Sequence, residues 1–115
     1  MSNENLGKTS VGIQANIEAF LCYLGGFITG IIFYIVEKEN KFVRFHAVQS
    51  TVTFGGLFIV NLASRLILPG ALYSLISLLV GILSLILWVV LMVKAYSGEK
   101  YKLPIAGEVA EEKSK

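Results

Sequence analysis

The chain has 115 residues, 55% of them hydrophobic and 16% charged, with a mean hydropathy of +0.70. A soluble domain carries about 25% charged residues, so the composition argues against a soluble enzyme, and it argues equally against disorder, which needs low hydrophobicity and high charge. Ten Lys and Arg against eight acidic residues give a formal net charge of +2, too weak for nucleic-acid binding, and one cysteine, Cys22, rules out an intrachain disulfide framework.

The first 18 residues are polar, with Lys8 the only basic one. No cleavable signal peptide is expected, because no basic segment abuts an apolar one. Thr9 or Ser10 is the expected cap of a first helix running from Val11 to Val36. Gln14, Asn16 and Glu18 place its first two turns at the membrane interface. All charged residues fall outside three runs, 19–36, 47–64 and 66–93; Pro69-Gly70 interrupts the third, so it counts from Ala71. About 20 apolar residues cross the roughly 30 Å of hydrocarbon, and a charge at its centre costs about 2.5–3.5 kcal/mol on insertion scales. The expected fold is therefore one all-α membrane domain over 1–115, a polytopic integral membrane protein of three transmembrane helices. The spans are 19–36, 47–64 and 71–93, and the first helix is extended by an interfacial N-terminal part. The cluster Glu37 to Lys41 ends the first helix, Asn40 caps the second, and Pro69-Gly70 makes the next turn. The tails, 1–10 and 94–115, are polar, and the second lies on the membrane surface.

Three crossings put the termini on opposite sides. Lys8 and Arg65 then fall on one side, and Lys38, Lys41, Arg44 and the five lysines after Val93 on the other. The positive-inside rule makes the second side cytoplasmic. The expectation is a multi-pass protein of the cell membrane with its N-terminus outside and its C-terminus inside.

Helices in lipid associate by close backbone approach and interhelical hydrogen bonds. Gly26 and Gly30 stand at GxxxG spacing in the first span, extended by Ala19 and Cys22. Ser77, Gly81 and Ser84 form a similar stripe in the third. The stripes pack against each other within one chain or join two chains. On the second helix His46, Gln49, Ser50, Thr53, Asn61 and Ser64 share one face at 100° per residue, opposite Val48, Val52, Gly55, Ile59 and Leu62. That stripe is either a set of interhelical hydrogen bonds or a polar path. His46, the only histidine, has no second His and no Asp as partner, which points to a structural hydrogen bond near the headgroups rather than metal or haem ligation. Arg44 is expected to contact a headgroup or a helix end. Cys22, inside an apolar run, reads as a small packing residue. No phosphate-binding loop, zinc spacing or hydrolase motif occurs, so no cofactor, metal or catalytic residue is nominated.

Glu37-Lys38-Glu39-Asn40, then Phe42-Val43-Arg44-Phe45-His46-Ala47 and Gln49-Ser50, resembles a block found in a group of small uncharacterised prokaryotic membrane proteins. Thr9 to Gly12 with Asn16, Cys22-Tyr23-Leu24, Thr29-Gly30 and Tyr101 to Ile105 with Gly107 resemble the same group, so the likeness spans about residues 9–112. That group is similar to the Tic-type channel subunit of the chloroplast inner-envelope import translocon. The resemblance implies an integral membrane α-helical fold and, more remotely, a role in moving or inserting polypeptides. The plant relatives have four spans, against three expected here. Together these readings give a non-enzymatic component that works through helix packing, in protein translocation or as an accessory subunit. The alternative is an oligomeric channel or small transporter with a path along the second helix. The expected partners are the lipid bilayer and other membrane proteins or further copies of the chain.

Overall fold

The computed structural model describes residues 6–114. Five helices follow in order: α1 (Ala15–Leu24), α2 (Phe27–Val36), α3 (Lys41–Ile67), α4 (Gly70–Tyr96) and α5 (Ala106–Lys113). Two of them, α3 and α4, have 27 residues each and are long and apolar enough to cross a membrane. At 1.5 Å per residue each measures about 40 Å.

Their ends follow the sequence. The Asn40 side chain accepts the Val43 amide at 3.0 Å, which satisfies an N–H that has no partner inside the helix. Pro69 immediately precedes α4, so α3 and α4 form a tight antiparallel hairpin. The expected capping of the first helix by Thr9 or Ser10 does not occur: α1 begins at Ala15, after Gln14, with no side-chain cap. The Ser10 hydroxyl instead accepts the amides of Lys38 and Glu39, at 3.0 and 3.1 Å.

The first apolar run is where the expected architecture needs correction. It is two ten-residue helices, not one continuous span, and the chain reverses between them at Gly25-Gly26. Gly26 holds φ 65° and ψ −139°, a conformation that side chains oppose. The contacts set the directions. At one end of α1, Asn16 Nδ2 donates to the Tyr96 carbonyl at 2.9 Å; at the other, Trp88 Nε1 donates to the Tyr23 carbonyl at 2.6 Å. α1 therefore runs antiparallel to α4. The Phe27 ring lies 5.4 Å from Phe58, while Arg44 reaches the Tyr34 carbonyl, so α2 runs antiparallel to α3. Each short helix is about 15 Å long, half of the roughly 30 Å of hydrocarbon. The pair is a helical hairpin whose tip reaches the middle of α3 and whose two ends meet again, as the Ser10 amide bound to the Glu37 carboxylate at 2.9 and 3.0 Å shows.

The segment after α4 makes a second excursion. It leads down past His46 and Gln49, reverses at Ile105 (φ 65°), where the Ala106 amide closes on the Pro104 carbonyl at 2.7 Å, and returns as α5. Ile105 is the one described non-glycine residue with positive φ, a strained setting for a β-branched side chain. Ala110 packs α5 onto Phe45 and Val48 of α3, so this part of the tail folds back onto the bundle. The N-terminal segment from Leu6, the loop before α3 and the tail all lie at the same end of the α3–α4 pair, and only the Leu68-Pro69 turn lies at the other.

Candidate functional site

The buried polar groups gather where the hairpin and the tail meet α3. His46, Gln49 and Ser50 have no exposed surface. The Tyr23 hydroxyl lies 2.7 Å from His46 Nδ1, and His46 Nε2 lies 2.9 Å from the Glu99 carbonyl. A carbonyl only accepts, so Nε2 carries the hydrogen, and in the neutral ring Nδ1 accepts the Tyr23 proton. Both imidazole nitrogens are occupied. Gln49 Nε2 donates to the Tyr23 oxygen at 3.1 Å and to the Tyr101 carbonyl at 2.8 Å, while its Oε1 accepts the Leu103 amide at 2.9 Å. Ser50 Oγ bonds the Cys22 and Gly26 carbonyls at 2.8 and 2.9 Å, which fastens the hairpin tip. Three successive polar positions of α3 therefore hold the two excursions in place.

Arg44 sits at a helix end. Its Nη1 donates to the Tyr34 and Glu37 carbonyls, and its guanidinium lies 4.3 Å from the Tyr34 ring centre. Those carbonyls end α2, where a cation complements the helix dipole. Beside it, the Glu37 carboxylate accepts backbone amides of Ser10, Glu39 and Asn40. Burial raises its pKa, but the bonds from the Asn40 and Ser10 amides and from Glu18 outweigh burial and hold it below the usual carboxylate range. Glu18, also fully buried, is pushed up to about 8, first by burial and then by Glu37.

The other residues singled out in the sequence separate. Gly30 packs: a Cβ there would stand 2.9 Å from the Ala47 carbonyl oxygen and 2.8 Å from Thr51 Oγ1, so α2 lies against α3 at a distance only glycine permits. Gly26 makes the hairpin turn, and a Cβ there would meet nothing within 4 Å. The two small-residue stripes do not meet, because Gly30 faces α3. Ser77, Gly81 and Ser84 line a cleft of about 310 Å³ with Asn61, Phe27 and Phe58. Asn61 Oδ1 and Thr53 Oγ1 are buried without a hydrogen-bond partner. Cys22 is a buried packing residue whose thiol faces the Val43 carbonyl at 3.8 Å. Glu18, Tyr23 and Glu37 are site residues that the sequence pattern does not single out. The one signal for them is a lone Glu on the same helical stripe as Ala15 and Cys22.

A family profile described as the magnetosome magnetite crystal formation protein family matches residues 8–110. The chain belongs to that family. A UPF0132 membrane protein of Methanocaldococcus jannaschii is 54% identical over 109 residues, covering 95% of this chain and 96% of the relative. A second from that organism is 44% identical over 103 residues, covering 89% and 71%. A UPF0132 membrane protein of Archaeoglobus fulgidus is 45% identical over 100 residues, covering 87% and 95%. No solved structure matches. These relatives and the two long apolar helices identify a membrane protein of a small prokaryotic family. Kinship to a chloroplast translocon subunit finds no support in them.

Proposed function

We propose that the chain is a non-enzymatic scaffold of the cell membrane, acting through the lipid-facing cleft between α3 and α4 on a helix of another membrane protein or of a second copy. The observation that carries this reading is the fate of the α3 stripe. His46, Gln49 and Ser50 are consumed by internal hydrogen bonds, so they line no path. Of the two polar atoms left over on the stripe, Thr53 Oγ1 and Asn61 Oδ1, that of Asn61 belongs to a residue lining the cleft with Ser77, Gly81 and Ser84, where small residues let a helix approach closely. This favours an accessory component over a channel or translocon. The family description speaks of magnetite crystal formation. Both His46 nitrogens are engaged, and among the described residues no group of three or more His, Cys, Asp or Glu is placed to hold a metal ion. We therefore assign this chain an assembly role rather than iron ligation.

The same reading sets the orientation. Among the described residues Lys8, Lys38, Lys41, Arg44, Lys94, Lys100, Lys102 and Lys113 cluster at the end carrying both terminal segments, and Arg65 alone lies near the other. The positive-inside rule makes the crowded end cytoplasmic, with both terminal segments inside.

Two measurements test the proposal. A photo-crosslinker at Gly81 should give one discrete adduct in membranes and one at Leu66 none, while purified protein in liposomes passes no ions. Ion conductance, or equal crosslinking from both positions, overturns the scaffold reading. Reporters fused to the two ends should respond in the same compartment; opposite compartments overturn the orientation.

A further inference from the structure

Glu18 lies one turn into α1 with no exposed surface, and no N–H or O–H reaches either of its carboxyl oxygens. The group within hydrogen-bonding reach is another carboxyl, that of Glu37. Two carboxylates cannot bond to each other; a carboxyl and a carboxylate can. Glu37 is the member suited to keep the charge, since it accepts the Ser10, Glu39 and Asn40 amides. Glu18 is the member suited to keep the proton, since nothing around it donates.

We propose that Glu18 and Glu37 form a single-proton latch: Glu18 stays protonated and donates its O–H to the Glu37 carboxylate, and loss of that proton to solvent frees the base of the α1–α2 hairpin from the loop before α3. The latch joins three segments, because Glu37 also holds the N-terminal segment through Ser10.

The surroundings supply no competing counter-charge. From α1 itself the neighbour is the Cys22 thiol, one turn on. Lys8 of the N-terminal segment, Lys38 and Glu39 of the loop, and Lys41 of α3 are exposed. Arg44 of α3 is spent on the carbonyls of Tyr34 and Glu37. At the end of α4, Lys94 pairs with Glu99 of the tail at 3.2 Å, and Tyr96 meets α1 through its carbonyl.

The sign follows from linkage. The closed state holds the Glu18 proton to about pH 8, whereas an exposed Glu loses it near 4.3. Closure therefore weakens as pH rises between those values, by up to about tenfold per pH unit, and levels off above 8.

The test uses the full chain in detergent micelles. Infrared spectra at pH 7 should show a protonated carboxylic-acid C=O band that disappears on titration to pH 9 and is missing in Glu18→Gln. Amide-exchange protection at Ser10, Glu39 and Asn40 should fall across pH 5–8 in the wild type and stay level in Glu18→Gln, whose amide still donates to Glu37. Absence of the band in the wild type at pH 7 overturns the proposal and needs no variant. So does the same pH dependence of protection in Glu18→Gln and the wild type.

Discussion

The two halves of α3 meet different surroundings. From Val43 to Ser50 almost every side chain is buried, Arg44 alone excepted, and the polar ones are hydrogen-bonded to the hairpin or the tail. From Phe58 to Ile67 the large apolar side chains are exposed, Ile59 by 64% and Leu66 by 77%, as suits a surface solvated by lipid. One helix thus changes from a protein core to a membrane surface part-way along. The uncharged sequence does not mark the change, because both settings accept apolar residues. The polar residues do, since each must find a partner wherever water is absent.

Substitutions can break or sharpen this contrast. The largest effect is expected from Gly30→Val. Its Cβ falls 2.9 Å from the Ala47 carbonyl oxygen, which forces α2 off α3 at a cost of about 3 kcal/mol, read as a lower melting temperature in detergent. Next comes Gln49→Leu, which strands the Leu103 amide and the Tyr101 carbonyl and should cost about 2 kcal/mol. Amide exchange should then rise at Leu103. Thr53→Val, one turn further on the same stripe, removes a hydroxyl that has no partner and should be neutral or stabilising by about 0.5 kcal/mol. If Gln49→Leu and Thr53→Val behaved alike in thermal unfolding, the contrast would fail. The smallest effect is Gly81→Ala, whose added Cβ meets nothing within 4 Å. Helix propensity then favours the variant by less than about 1 kcal/mol.

Acid should loosen the hairpin base by a separate route. The bonds that hold Glu37 below the usual carboxylate range contribute fully above that range, and their contribution is lost as pH falls through the lowered value. Exchange at the Glu39 and Asn40 amides should rise on acidification, and Glu37→Gln should show that looseness at every pH.

Much of the frame was legible. Asn40 and Pro69-Gly70 mark helix ends by local chemistry, and α3 and α4 begin there. The reversal at Gly25-Gly26 was not legible, because counting apolar residues is blind to direction: ten out and ten back read like a span of twenty. Paired glycines in an apolar run mean close packing or a turn, and here Gly30 does the first and Gly26 the second. The partners of His46 were missed for another reason. Residue types at short spacing show only nearby side chains of complementary chemistry, whereas the structure supplies a tyrosine hydroxyl and a backbone carbonyl 53 residues away in sequence. The short helix α5 has too few apolar residues to announce itself, yet Ala110 is enough to seat it.

The turn at Leu68-Pro69 carries a consequence for how the protein is made. In the proposed orientation the loop before α3 and both described terminal segments lie at the opposite end, so the insertion machinery carries across the oily layer only one tight corner and the nearby guanidinium of Arg65. On that proposal the hairpin and tail settle later, from the side on which the ribosome works.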